Sequence, residues 1–113
     1  MIEATFYTNA DGRIWGFQIH GHAGYARKGA PDIVCSAVSA LSINTVNGLE
    51  KFSSDTVRYK MDDDGFLSAE VEAIRKGRGD QNSELILNLL HLGLQSVSQS
   101  YNENITVKVC KRT

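Results

Sequence analysis

Two segments of strict alternation, joined by a turn, restrict the fold more than any other part of the sequence. In residues 2–8 apolar and polar side chains alternate, as they do in a half-buried β-strand. Residues 13–20 repeat the pattern, and the intervening Asn-Ala-Asp-Gly supplies turn chemistry, with Gly12 free to adopt positive φ. We therefore expect residues 2–20 to form a β-hairpin that buries one face against other elements.

The rest of the sequence predicts two helices and three more strands. Asp32 caps a helix that runs to about Leu49, and a second helix covers residues 83–101. The predicted strands are residues 56–61, 66–74 and 105–111, with an acidic turn over residues 62–65. The first helix is expected to bury one stripe: Ala37, Val38, Leu41, Thr45 and Leu49.

These elements define the expected fold class. Their order is ββαββαβ, which implies an α+β fold with both helices packed on a mostly antiparallel sheet. The 113 residues fit one domain, residues 1–113, and leave little room for a second.

Composition narrows the function. Twelve basic residues are balanced by 13 acidic ones, a net charge of −1, so we expect no direct grip on nucleic acid. No apolar run approaches the roughly 20 residues of a membrane-spanning helix. Two cysteines are too few for a secreted disulfide framework, which favours a cytoplasmic protein.

Cys35 is the first candidate for chemistry. It lies three residues after Asp32, in the first turn of the predicted helix, where unpaired N–H groups and the helix dipole favour a negative sulfur. Position alone also fits a buried structural cysteine, since free cysteine is among the most buried residue types.

His22 supplies a partner for that cysteine. It begins a glycine-rich loop over residues 21–31, a length that in a compact domain usually signals function or disorder. The separation of 35 − 22 = 13 positions lets the loop fold back and place imidazole beside sulfur. A histidine–cysteine pair is what covalent peptide hydrolysis requires. The simpler interpretation of His22 is a water-exposed loop residue.

Other residues near the pair have more than one interpretation. Asp32 caps the helix by accepting N–H bonds from Val34 or Cys35, or else it orients a catalytic triad. Ser39, one turn after Cys35, faces the same side and is a candidate for substrate contact. We expect Cys110 to be a bystander and His91 to be structural and not catalytic.

A metal site is the main chemical alternative at this position. His20 would share a strand face with His22, and Cys35 and Asp32 complete the available ligands. A structural zinc site wants four closely spaced ligands, and the sequence holds no Cys-x-x-Cys pair. We therefore predict no metal and no cofactor.

Two motifs together resemble a known family. Gly21-His22-Ala23-Gly24-Tyr25-Ala26 and the ten residues from Asp32 to Leu41, Asp-Ile-Val-Cys-Ser-Ala-Val-Ser-Ala-Leu, are similar to the signature of the ribosomal-processing cysteine proteases, Prp. Chain length and element order extend the resemblance over nearly the whole sequence. Two departures stand out: the loop is one residue longer than the family spacing, and Ser36 replaces a frequent alanine.

The resemblance implies a specific activity. Members are homodimeric endopeptidases that remove a short N-terminal extension from a large-subunit ribosomal protein in Firmicutes and related bacteria, cutting after an aromatic pair. The family's catalytic histidine and cysteine map onto His22 and Cys35. Gly21 belongs to the same motif, and Tyr25 is a candidate wall for the substrate's aromatic residues.

The sequence leaves two alternative functions open. The protein could instead be a non-catalytic ribosome-associated or RNA-binding module, or a thiol-redox protein using Cys110 as a resolving cysteine.

We expect the loop over residues 21–31 to close over substrate. The second helix carries more apolar side chains than one stripe holds, which predicts a homodimer. They are Leu85, Ile86, Leu87, Leu89, Leu90, Leu92 and Leu94.

Overall fold

The computed structural model describes residues 1–27 and 29–113. Lys28, in the loop predicted over residues 21–31, lies outside them. The elements in chain order are β1 (Ile2–Thr8), β2 (Ile14–His20), α1 (Ile33–Phe52), β3 (Arg58–Met61), β4 (Leu67–Glu70), α2 (Glu72–Arg75), α3 (Gln81–Ser100) and β5 (Ile105–Lys111). The α+β class and the predicted order of strands and long helices are confirmed, with the short helix α2 added.

The five strands form one sheet in the order β3-β4-β2-β1-β5. All neighbours are antiparallel except β1 and β5, which run parallel with Ile2 opposite Ile105. In the β1–β2 hairpin Phe6 pairs with Phe17, and their ring centroids lie 5.9 Å apart. Both rings are buried, as alternation predicts.

Helices α1 and α3 lie on one face of this sheet. His91 of α3 packs its ring on Phe6, with centroids 4.8 Å apart, and this burial lowers the pKa of His91. Helix α1 lies beside α3 in antiparallel orientation, because Gly48 lies against Ile86 and Gly93 lies against Leu41. The alternate residues of the strands, among them Glu3, Thr5 and Gln18, form the face of the sheet opposite Phe6, which we call the open face.

The buried stripe of α1 differs from the expected one. Val38, Thr45 and Leu49 are buried as predicted, but Ala37 and Leu41 are exposed. Their places are taken by residues that include Ser42, which is 1% exposed. The Ser42 hydroxyl donates to the carbonyl of Val38 at 2.6 Å, so its burial leaves no polar group unpaired.

The strand predicted over residues 66–74 is too long. Strand β4 ends at Glu70, and residues 72–75 turn into α2. Val71 donates its N–H to the carbonyl of Trp15, and Ile74 three positions later is fully buried. Two apolar residues three apart are at helical spacing, whereas the sequence prediction included both in the strand.

Smaller differences concern element ends. Strand β3 begins two residues later than predicted, and α1 ends at Phe52 instead of about Leu49. Helix α3 begins two residues earlier than predicted, because Asp80 caps it by accepting the N–H of Ser83. Within residues 1–27 and 29–113, no helix is long and apolar enough to cross a membrane.

Candidate active site

Cys35 lies in the first turn of α1 and is half-buried. Its Sγ accepts a hydrogen bond from the backbone N–H of Ala23, at 3.3 Å. This contact brings the loop that follows β2 directly against the sulfur. A helix N-terminus and a backbone donor both favour negative charge, so the position suits a thiolate.

Asp32 holds the loop and the helix together. One carboxylate oxygen accepts the N–H groups of Val34 and Cys35, both at 3.0 Å, which is the predicted helix cap. The other accepts the N–H groups of Tyr25 and Ala26, at 3.0 and 3.3 Å. These bonds hold the pKa of Asp32 below its usual value, and the bond from Cys35 contributes most. Desolvation of the carboxylate opposes them.

The four bonds define what Asp32 does in this structure. Each oxygen already accepts two backbone N–H groups, and among the described residues no hydrogen bond joins Asp32 to His22. Asp32 therefore clamps the loop onto the helix N-terminus. Its charge is spread over four donors, which reduces its opposition to a thiolate nearby.

His22 is exposed at the start of the loop. It lies beside the β3–β4 turn: a Cβ added at Gly65 would stand 3.4 Å from His22 Cε1 and 3.7 Å from its Nδ1. In the part of the chain that the structure describes, no hydrogen bond joins His22 to Cys35. Ala23, the residue that follows His22, is the one that contacts the sulfur of Cys35.

Gly21 is required where the chain leaves β2. Its φ is +96°, and a Cβ there would collide with the backbone carbonyl of Met1. Glycine alone tolerates both the left-handed conformation and the close approach. Gly21 thus sets the direction in which the chain continues to His22.

A second anchor of the loop was not predicted. The Nδ2 of Asn104, in the turn before β5, donates to the carbonyl of Ala23 at 3.0 Å. In the same region the rings of Tyr25 and Tyr101 meet edge to face, with centroids 5.3 Å apart. Asn104 and Ala23 are 81 positions apart in sequence, and no local pattern links them.

The remaining candidates lie at different distances from this site. Ser39 is exposed one turn after Cys35, on the side predicted for it. His20 lies instead on the open face, where its Nε2 is 3.6 Å from a carboxylate oxygen of Glu3. Cys110 is exposed on β5 opposite Tyr7, and neither cysteine is in a disulfide.

A metal at this site would need several ligands together. Over residues 1–27 and 29–113, the structure brings no three His, Cys, Asp or Glu side chains into such a group. His20, the extra ligand that the metal alternative needed, lies on the open face, 3.6 Å from Glu3.

A cysteine at a helix N-terminus, with a histidine in the loop that touches it, fits a thiol-dependent hydrolase of the cysteine protease class. Within that class the chain belongs to the family described as Cysteine protease Prp, whose model matches residues 1–106. This membership decides against a non-catalytic module.

Curated relatives agree with the family assignment. The ribosomal processing cysteine protease Prp of Staphylococcus aureus (strain Mu50) is 30% identical over 107 residues, which cover 93% of this chain and 95% of the relative. The protein of the same name from Bacillus subtilis (strain 168) is 26% identical, over 95% and 96% of the two chains.

Solved structures share the fold. The crystal structure of SMU.848 from Streptococcus mutans has a TM-score of 0.82 and 35% identity, covering 99% of this chain and 96% of that one. The essential S. aureus protease Prp with a covalently linked product peptide has a TM-score of 0.80 and 27% identity, covering 97% and 100%. A further S. aureus Prp structure contains a substrate peptide.

Proposed function

We propose that this chain is an endopeptidase that removes a short N-terminal extension from a large-subunit ribosomal protein, with Cys35 as nucleophile and His22 as general base and acid. The observation that carries the proposal is the hydrogen bond from the Ala23 N–H to Cys35 Sγ. It places the residue next to His22 in contact with the sulfur. The relatives' shared name, ribosomal processing cysteine protease, supports the substrate class.

The chemistry follows the usual course of thiol acyl transfer. His22 takes the proton of the Cys35 thiol, and the thiolate attacks the scissile carbonyl carbon. The tetrahedral intermediate collapses, the C–N bond breaks, and His22 returns the proton to the leaving amine. Water then hydrolyses the thioester, releasing the acid product and the thiol. The covalently linked product peptide in the S. aureus relative is consistent with such a course.

In the structure described here His22 faces the β3–β4 turn and does not hydrogen-bond Cys35, so the proposed mechanism requires a rearrangement. Closure of the loop over substrate, which the sequence predicts, brings the imidazole of His22 to the sulfur of Cys35. Such closure also restricts cleavage, because peptides that do not stabilise the closed loop are not attacked.

Exposed apolar side chains on the helix that carries Cys35 and on the loop bound to it support cleavage after an aromatic pair. Tyr25, in the loop bound to the start of α1, is 50% exposed. Ile33, the first residue of α1, is 54% exposed. Tyr101 backs Tyr25 through their edge-to-face contact. Exposed aromatic and aliphatic surface next to a nucleophile suits two aromatic residues before the scissile bond.

The proposed substrate and nucleophile also support a cytoplasmic location. Bacterial ribosomal proteins are made and assembled in the cytoplasm. Reducing conditions there keep a nucleophilic thiol out of disulfides.

One experiment tests the proposal directly. Synthetic peptides from the N-termini of ribosomal proteins are incubated with the protein, and mass spectrometry locates any cut. We expect a single cut after an aromatic pair, abolished by Cys35→Ala and unaffected by Cys110→Ala, which removes the exposed thiol on β5. Wild-type turnover by Cys35→Ala would show that the nucleophile is another residue.

A further inference from the structure

The backbone of Ala23 is fixed on both sides. Its N–H donates to Cys35 Sγ at 3.3 Å, and its carbonyl accepts from Asn104 Nδ2 at 3.0 Å. The whole residue Ala23 is 3% exposed, so its methyl group is buried as well. A residue held at three points has little freedom to turn its N–H away from the sulfur.

Asn104 is itself rigidly placed. Its backbone N–H donates to the carbonyl of Tyr101 at 2.9 Å, within the turn that joins α3 to β5. Its carbonyl accepts the N–H of Ile2, also at 2.9 Å, which ties this turn to the start of β1. The donor that reaches Ala23 therefore projects from the framework of the sheet and not from a loop tip.

The direction of the Ala23 N–H has a chemical consequence. An N–H aimed at sulfur stabilises the thiolate more than the neutral thiol, because hydrogen bonds to a charged acceptor are the stronger ones. The helix N-terminus acts in the same sense, but the N–H groups of Val34 and Cys35 are already taken by Asp32. Among the described residues, Ala23 is the donor that reaches the sulfur.

We propose that Asn104 is a positioning residue: it holds the peptide of Ala23 so that the N–H stabilises the Cys35 thiolate and keeps the His22 loop against α1. The proposal rests on the proposed function, in which Cys35 is the nucleophile. The side chain of Asn104 bonds to the Ala23 carbonyl and acts on the sulfur through Ala23.

The test measures thiolate formation independently of proteolysis. Alkylation of Cys35 by iodoacetamide is followed as a function of pH in a Cys110→Ala background. Asn104→Asp keeps the side-chain volume but replaces the donor by an acceptor. We expect the pH midpoint of alkylation to move upward by about one unit, so that alkylation below the midpoint slows about tenfold.

Two variants control for charge and for packing. Asn102→Asp places the same charge in the same turn at an exposed position and should leave the alkylation curve unchanged. Asn104→Ala removes the donor without adding charge and should reproduce the upward displacement. Circular dichroism establishes that each variant is folded, so that the comparison is between native states.

The outcomes separate this proposal from the proposed function. A folded Asn104→Asp or Asn104→Ala protein with the wild-type alkylation curve overturns the positioning role, even if cleavage requires Cys35. Displacement of the curve by Asn102→Asp to the same extent also overturns it, since the effect would then be charge alone. Loss of the proposed function has a different signature, namely wild-type cleavage by Cys35→Ala.

Discussion

His22 is the residue on which the proposed acid–base chemistry depends. His22→Ala should lower kcat about a hundred- to ten-thousandfold, because the thiol loses its proton acceptor and the leaving amine its donor. The matched control is His20→Ala, since His20 is paired with Glu3 on the open face. Peptide cleavage followed at saturating substrate measures both. Equal losses at the two positions would contradict the assignment of His22.

Two other residues order the loop that carries His22. Asp32 contributes four acceptor contacts and Asn104 contributes one donor. The depressed pKa of Asp32 means that its clamp is complete above the usual carboxyl pKa and is lost as pH falls through the lower folded-state value.

The β3–β4 turn is an element that the sequence did not connect with catalysis. Gly65 has a φ of +84°, and a Cβ there would lie 3.1 Å from the Gly21 carbonyl and 3.4 Å from His22 Cε1. Gly65→Ala should therefore shift the Gly21 carbonyl, the tighter of these contacts, and with it the start of the loop that carries His22, and lower kcat roughly ten- to a hundredfold.

Gly77→Ala is the control for that substitution. Gly77 has nearly the same φ, +83°, but no heavy atom within 4 Å of an added Cβ. Both variants should lose similar thermal stability from backbone strain, whereas only Gly65→Ala should lose activity. Peptide cleavage and melting curves on the same samples distinguish the two effects. Equal activities of the two variants would show that the β3–β4 turn does not influence the active site.

The start of α3 is held by one carboxylate. Asp80 accepts the N–H groups of Ser83 and Ser54, at 2.8 and 2.7 Å, and so joins the end of α1 to α3. These bonds, that from Ser83 first, hold the pKa of Asp80 well below its usual range. The stabilisation is thus fully present above the usual carboxyl pKa and disappears as pH falls through the lower folded-state value.

Asp80→Ala should lower Tm by several degrees at neutral pH, because the helix cap and the link to α1 are lost together. The difference in Tm from wild type should shrink as the pH is lowered into the acid range. Asp80→Asn, which retains a neutral cap, should lose less at neutral pH. Thermal melts by circular dichroism across that range measure all three, and a Tm difference independent of pH would contradict the charge argument.

At the scale of the whole molecule, α3 leaves an apolar stripe uncovered. Leu87, Leu90 and Leu94 are buried in the core. On the outer side Leu85, Leu89 and Leu92 are 67%, 64% and 59% exposed. A stripe at helical spacing on the outside of the fold supports the predicted homodimer, in which two copies cover each other.

Leu89→Glu should convert dimers to monomers by placing a charge in the centre of that stripe. Lys108→Glu, a charge reversal on the open face of β5, should leave the oligomeric state unchanged. Sedimentation velocity at micromolar concentration measures both. A wild-type monomer under those conditions would contradict the dimer prediction.

The sequence by itself located most of the elements and indicated the residues that we propose as the nucleophilic pair. Alternation located β1, β2 and β5 to within one residue, because the side-chain period reports which face is buried. The Asp32 cap followed from its place before a helical pattern, since a cap bonds only to N–H groups two and three residues away. Two motifs then pointed to His22 and Cys35.

Only the tertiary structure decided how those residues meet. The parallel pairing of β5 with β1 brings Asn104 to Ala23, and the β3–β4 hairpin brings Gly65 to His22. Such contacts join residues tens of positions apart, and no period or spacing encodes them, because they arise from how the elements pack. The sequence therefore indicated the groups that we propose to react, while packing of the whole chain set the position of the loop that carries His22.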